Sequence, residues 1–393
     1  MFRRTLPVLV LVLSSCTGEI GGVGDEPPGV DPFNPPEGYC DDAPPMLGIV
    51  PIRRLSRVEY RNAIEDLLPG VEYTLPALPG DVTDHGFENA SRNLSAPAIL
   101  VENHQSIAEN MAQATVANAA VLTSILGCSS WATPDEQNTC TASFLSGFGL
   151  RAFRRPLTAD ERALYTVFIE DMRGLIDYEA GVELALGAFL QSPQFMYRVE
   201  LGESGVVTPY EMASRLSFLL WQSIPDDTLL EAAASGRLSS AADLEAQARR
   251  MMAMPQARGA MVDFHRQWLG FDLILQDEHL GKEPGTYPNW SPELVASIRE
   301  EADRFVEHVM FEEEGTLEAL LTSRTSFVDA RLATLYGLSP VSDWMQVELP
   351  ANERAGILTR ANFLAAQAHG LTGSPILRGV FVNERLLCVS FGA

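Results

Sequence analysis

The 393 residues carry 52 acidic against 28 basic side chains, a formal charge of −24 at pH 7, and 46% of them are hydrophobic. So acidic a chain lacks the Lys/Arg stripes that bind phosphate backbones, which argues against nucleic acid, and its apolar content argues against disorder. Anionic lipid surfaces are disfavoured for the same reason, so attachment to a membrane requires a lipid anchor; acidity itself names no partner.

At the N-terminus Arg3 and Arg4 precede the apolar run Leu6 to Leu13, eight residues, too short to cross roughly 30 Å of hydrocarbon. Ser14 and Ser15 before Cys16 resemble a bacterial lipobox. Cleavage before Cys16 and acylation of its thiol would make an exported lipoprotein of the cell envelope, expected at the outer membrane. An ordinary secretory leader, with Cys16 incidental, is the alternative. Residues 17–46 follow with seven prolines and few large apolar side chains, the composition of an extended, semi-rigid tether. Breaks rich in Gly and Pro then suggest helical modules over 47–80, 81–200, 201–280 and 281–388, and a divergent tail at 389–393.

Helix-start signals recur through the body. Ser56/Glu59, Thr158/Glu161 and Thr208/Glu211 each place a hydroxyl at the N-cap and a carboxylate three residues on, and Ser291 is followed by Pro292. Behind these caps apolar residues fall at helical spacing, whereas strand-like alternation with hairpin turns is hard to find. The expectation is an all-α fold, an irregular multi-helix bundle behind a Pro-rich tether. Its helices are predicted near 56–68, 92–125, 138–150, 158–173, 178–191, 208–222, 226–234, 240–253, 255–269, 291–312, 327–336, 352–368 and 376–387.

Beyond Cys16 four cysteines remain, which an oxidising compartment can pair in three ways. Cys128 and Cys140 flank a polar loop between two helical stretches and are predicted to bridge, worth about 3 kcal/mol by loop closure. Elimination leaves Cys40 with Cys388, tying the tether's end to the C-terminus. No C-x-x-C spacing occurs, so the chain encodes neither a zinc knuckle nor a covalent haem site, and no metal or cofactor is expected in it.

Six histidines are scattered, none at the i, i+4 spacing of a helical metal site. Glu301 and His308 share one face of a predicted helix and are the candidate acid–base pair, against the plainer reading of a solvated charged face. The stretch 263–269 carries Phe264, Trp268 and Leu269 as an apolar stripe, which reads as core packing, with Asp263 and His265 on different faces. The loop 84–90 has the polar, Gly-containing character of binding loops, although a turn and cap explain it as well. Arg151, Arg154 and Arg155 form a basic knot suited to an anion or to buried pairing with carboxylates. Ser374 before Pro375 reads as a cap; no nucleophile elbow surrounds it.

Several segments, in order along residues 50–388, together resemble a family of uncharacterised multi-domain envelope proteins of planctomycetes and myxobacteria, often called cytochrome-associated. They include Arg53-Arg54-Leu55-Ser56-Arg57-Val58-Glu59-Tyr60, Arg151 to Thr158, Ala213 to Trp221 with Ile224 to Asp227, Gln267-Trp268-Leu269, Phe327 to Ala333, Gly356 to Thr359 and Ser374 to Gly379. The resemblance implies no established activity. Longer members continue into a Pro-rich stretch and a C-x-x-C-H of the kind that attaches c-type haem, so this chain looks like a truncated or frameshifted member. A partner for Cys388 beyond that point would break its expected bridge to Cys40. The leading expectation is therefore a lipid-anchored partner or scaffold module of a haem-linked electron-transfer system, with a protein partner in the envelope. The alternatives are an envelope enzyme acting on a carbohydrate or related polymer through Glu301 and His308, and a structural lipoprotein or truncated remnant.

Overall fold

The computed structural model describes residues 52–72, 78, 80–202, 206–275 and 282–389; the expected leader, Cys16, the tether and Cys40 lie outside them. The chain divides after Met46, and every described residue belongs to the unit that begins at Leu47.

A two-residue strand, β1 (Arg53–Arg54), leads into α1 (Arg57–Leu67), whose start is fixed by the predicted capping box: Ser56 Oγ accepts the Glu59 N–H and the Glu59 carboxylate accepts the Ser56 N–H. The single helix expected over 92–125 is two, α2 (Ala98–Ala117) and α3 (Ala119–Leu126). Asn118 leaves helical geometry between them, and its side chain accepts the N–H groups of Ala120 and Val121 as the cap of α3. Next comes α4 (Pro134–Phe153), which starts earlier than expected because Thr133 and Glu136 form a further capping box. The predicted Cys128–Cys140 disulfide closes the α3–α4 link, with Cα atoms 5.6 Å apart.

Helices α5 (Ala159–Leu175) and α6 (Tyr178–Gln191) approach closely at Gly181, where a Cβ would stand 2.6 Å from the Ile169 carbonyl. Around them lies an aromatic core of Phe144, Phe148, Phe153, Tyr165 and Phe189. Tyr165 stacks on Phe189 at 3.7 Å, and burial pushes its hydroxyl pKa up to about 12. The short α7 (Pro193–Met196) delivers β2 (Tyr197–Arg198), antiparallel to β1 with Arg198 opposite Arg53.

Four helices continue the body: α8 (Pro209–Leu220), α9 (Asp227–Ala234), α10 (Ala241–Met252) and α11 (Pro255–Leu269). They share a core containing Ala213, Trp221, Leu229 and Met251, and the Trp221 indole N–H donates to the Met251 carbonyl at 3.0 Å. The C-terminal part is organised on α12 (Pro292–Phe311), whose buried face carries Leu294, Ile298, Ala302, Phe305 and Val309. Around it run α13 (Leu317–Thr322), β3 (Thr325–Val328), α14 (Ala330–Leu335), β4 (Met345–Glu348), α15 (Ala361–Ala366) and α16 (Pro375–Phe381), which passes into a π turn.

Two expected C-terminal helices are corrected. Residues 325–328 alternate buried and half-buried positions and pair with β4; helix begins only after Asp329, whose carboxylate caps α14. The stretch 352–368 reduces to a single tight turn, Ile357–Thr359, and α15. Gly356 interrupts it at φ +59°, pressed so closely on the Leu321 main chain that no Cβ fits. Of the expected Cys40–Cys388 bridge, Cys388 is a free, exposed thiol just after the π turn, and Cys40 lies outside the described residues. The described body is the expected all-α irregular bundle, with two small two-stranded sheets. Among the described residues no helix is long and apolar enough to cross a membrane.

Candidate functional site

The sequence's acid–base candidates are not brought together. Glu301 is fully buried on α12 and accepts from Ser326 Oγ at 2.7 Å, Tyr336 Oη at 2.6 Å and Arg360 Nη1 at 3.1 Å. Arg360, equally buried, lies over the Phe305 ring and donates also to the Thr325 carbonyl at 2.5 Å, while Tyr336 Oη accepts the Ala361 N–H. Burial outweighs Glu301 in lowering the Arg360 pKa, and it drives that of the Tyr336 hydroxyl well above its ordinary value. This network ties α12, β3, α14 and α15 together, with Arg360 Nε left as a buried donor without a hydrogen-bond partner. His308, two turns along α12, faces Glu313 at 3.3 Å and the edge of Phe327. Its partners are not those of Glu301.

The basic knot also separates. Arg154 takes the left-handed cap position of α4 at φ 59°, which turns its side chain into the core. There it donates to the carbonyls of Gln194, Phe195 and Tyr197, and burial holds its pKa down to about 9. Arg155 is held by Glu161 through two hydrogen bonds of 2.9 Å, and Arg151 donates to the Asp66 carbonyl. These three guanidinia do not converge on one anion position, because each is drawn to its own partner.

Two other sequence candidates do meet. The 84–90 loop docks on α11: the Glu88 N–H donates to Gln267 Oε1 at 2.9 Å, and Phe87 stacks on Phe264 at 5.6 Å. Gln267 and Gln222 both donate to Asp263 Oδ2 at 2.6 Å. Burial raises the Glu88 pKa; Arg57 opposes this, and Asp81, Asp263 and Asp272 add to it. Of the predicted apolar stripe, Leu269 is buried but Phe264 is 45% exposed under the loop; His265 is buried with Nδ1 on the Met261 carbonyl. This contact is a junction between elements.

A concave site lies where β1, β2 and α8 meet. A cavity of about 470 Å³ is lined by Arg53, Glu59, Asn89, Ser91, Arg198, Glu200, Arg215, Phe218 and Leu219. The period-two geometry of β1 sends Arg54 inward, to Asp81 and the Leu55 carbonyl, and turns Arg53 to the cavity. Arg53 grips Glu59 with two hydrogen bonds of 2.7 Å. Glu200 is shared: one oxygen accepts from Arg198 at 2.8 Å and the other from Arg215 at 2.6 Å. Arg198 Nε is buried without a hydrogen-bond partner, and burial together with Arg53 lowers the pKa of that guanidinium. Arg198 and Arg154 both lie over the Phe218 ring, at 5.4 and 5.6 Å from its centre. The lining thus holds three guanidinia against two carboxylates, beside an apolar wall, in a strongly acidic protein.

Sequence reasoning read Glu59 only as a cap residue and did not single out Arg53, Arg198, Glu200, Arg215 or Phe218. Arg53, Glu59, Arg215 and Phe218 nevertheless stand inside the segments that carry the family resemblance. Among the described residues no group of three or more His, Cys, Asp or Glu is arranged to hold a metal ion.

A mainly helical body with a charged cleft is what the described residues form. Three family descriptions match it: PSD3, a protein of unknown function (DUF1587), over residues 53–117; PSD5, a protein of unknown function (DUF1595), over 140–200; and PSD4, a protein of unknown function (DUF1592), over 207–338. The chain thus carries three domains of unknown function in order along residues 53–338, which supports a multi-domain family of unknown function. No curated protein and no solved structure matches it. Each of the three matched stretches contributes to the cleft: Arg53, Glu59, Asn89 and Ser91 from the first, Arg198 and Glu200 from the second, and Arg215, Phe218 and Leu219 from the third.

Proposed function

We propose that this protein is an exported, lipid-anchored binding module, a partner or scaffold in a haem-linked electron-transfer system of the cell envelope, with the Arg53/Arg198/Arg215 cleft as its working site. The observation that carries the binding role is the convergence of all three matched stretches on that one cavity. The anchor rests on Cys16 behind its apolar run, and the haem-linked setting on the sequence resemblance alone. An enzymatic role through Glu301 and His308 is the weaker reading, because Glu301 is fully engaged by Ser326, Tyr336 and Arg360.

Fractionation of the native host's envelope tests both parts. Cys16→Ser should move the chain from membrane to soluble fractions. Crosslinked complexes of the wild-type chain should carry c-type haem by reduced-minus-oxidised absorbance, and those of Arg215→Gln should not. Haem absent from both, or present equally in both, would refute the partnership.

A further inference from the structure

The cleft's chemistry points to the kind of ligand it takes. Glu59 is occupied by Arg53 and by the Ser56 N–H, and both Glu200 oxygens are in use, so the remaining positive charge has no counter-ion among the lining residues. Arg198 Nε adds an unused buried donor, and Arg215 is open to solvent over about a third of its side chain, 34%. A buried donor and an unneutralised guanidinium both favour an oxyanion over water or a neutral group. The cavity, at about 470 Å³, is much larger than a carboxylate or phosphate alone. One wall is Leu219, 73% exposed, backed by the buried Phe218.

We infer that the cleft binds a small amphiphilic anion, a carboxylate or phosphate carried on an apolar body, with the oxyanion between Arg198 and Arg215 and the body along Phe218 and Leu219. The inference rests on the cleft being the working site and adds the class of ligand. Asn89 and Ser91 supply neutral hydrogen-bonding groups on the rim.

Calorimetry on the full chain with decanoate, decyl phosphate, inorganic phosphate and decylamine tests this. Decanoate or decyl phosphate should bind, whichever is tighter marking a carboxylate or a phosphate source. Inorganic phosphate should bind at least about tenfold more weakly for want of the apolar body, and decylamine not at all. Arg215→Gln should weaken the preferred amphiphile about tenfold, the cost of one charge-assisted contact. Glu200→Gln should tighten it by about threefold or more, since it removes a competing negative charge. Circular dichroism confirms that each variant is folded, and the opposite signs of the two effects separate a site from general damage. Absence of binding by both amphiphiles, or equal binding in all three proteins, would overturn the inference. If the amphiphiles fail while Arg215→Gln still loses the haem-bearing complex, only the ligand class falls. If they bind and the complex persists in that variant, only the partner role falls.

Discussion

At the scale of single residues the protein places charge in two ways, and they predict opposite sensitivities. Glu301 and Arg360 are a buried pair with exposures of 0% and 1%, so removing one leaves the other charged in a dry core. Glu301→Gln should therefore cost about 3 to 5 kcal/mol in urea unfolding and leave amphiphile binding at the cleft unchanged. Arg215 is half-buried and shares Glu200 with Arg198, so its substitution leaves that carboxylate paired and should cost less stability than Glu301→Gln while altering binding. His104 supplies the pH dependence. It stacks on Tyr60, both ring nitrogens lack hydrogen-bond partners, and burial, aided by Arg54 and opposed by Asp81, lowers its pKa to about 4. The folded state then binds fewer protons than the unfolded state between pH 6.5 and 4. Its contribution should be intact above pH 6.5 and decline by up to about 3 kcal/mol as pH falls through that window. His104→Phe should flatten the decline in denaturation midpoints measured from pH 7 to pH 4.

At the scale of elements, what was legible in the sequence is what is decided locally. Ser56, Thr158, Thr208 and Ser291 all cap helices as their spacing implied, because a cap is a contact between residues three apart. The Cys128–Cys140 bridge, twelve residues apart, was readable because it closes one short loop between neighbouring helices. Reducing it, or replacing both cysteines with serine, should lower stability by about 3 kcal/mol and loosen the α3–α4 link, as limited proteolysis would show. The misread elements depend on distant partners. Thr325–Val328 is too short to announce itself as a strand and exists because Met345–Glu348 pairs with it. The break at Asn118 was hidden because apolar periodicity runs through both α2 and α3. The loss of helix over 352–356 follows from the close contact between Gly356 and Leu321, which no local pattern encodes.

At the scale of the whole molecule, the fold class followed from periodicity, while the site depended on topology. Glu301 and His308 share a helix face, but tertiary contacts from β3, α14 and α15 engage one and Glu313 the other. The cleft is assembled from β1, β2, α8 and the 84–91 region, whose charged side chains carry no local motif because they meet only after the β1–β2 pairing forms. Three separately matched stretches build the one cleft proposed to bind a ligand. Hydrogen–deuterium exchange on the full chain, with and without the tighter-binding amphiphile, tests this most directly. Slowed exchange is expected in 53–60, 89–91, 197–202 and 211–219 together, with α12 and α15 unchanged. Protection confined to one of those stretches, or located elsewhere in the body, would contradict it.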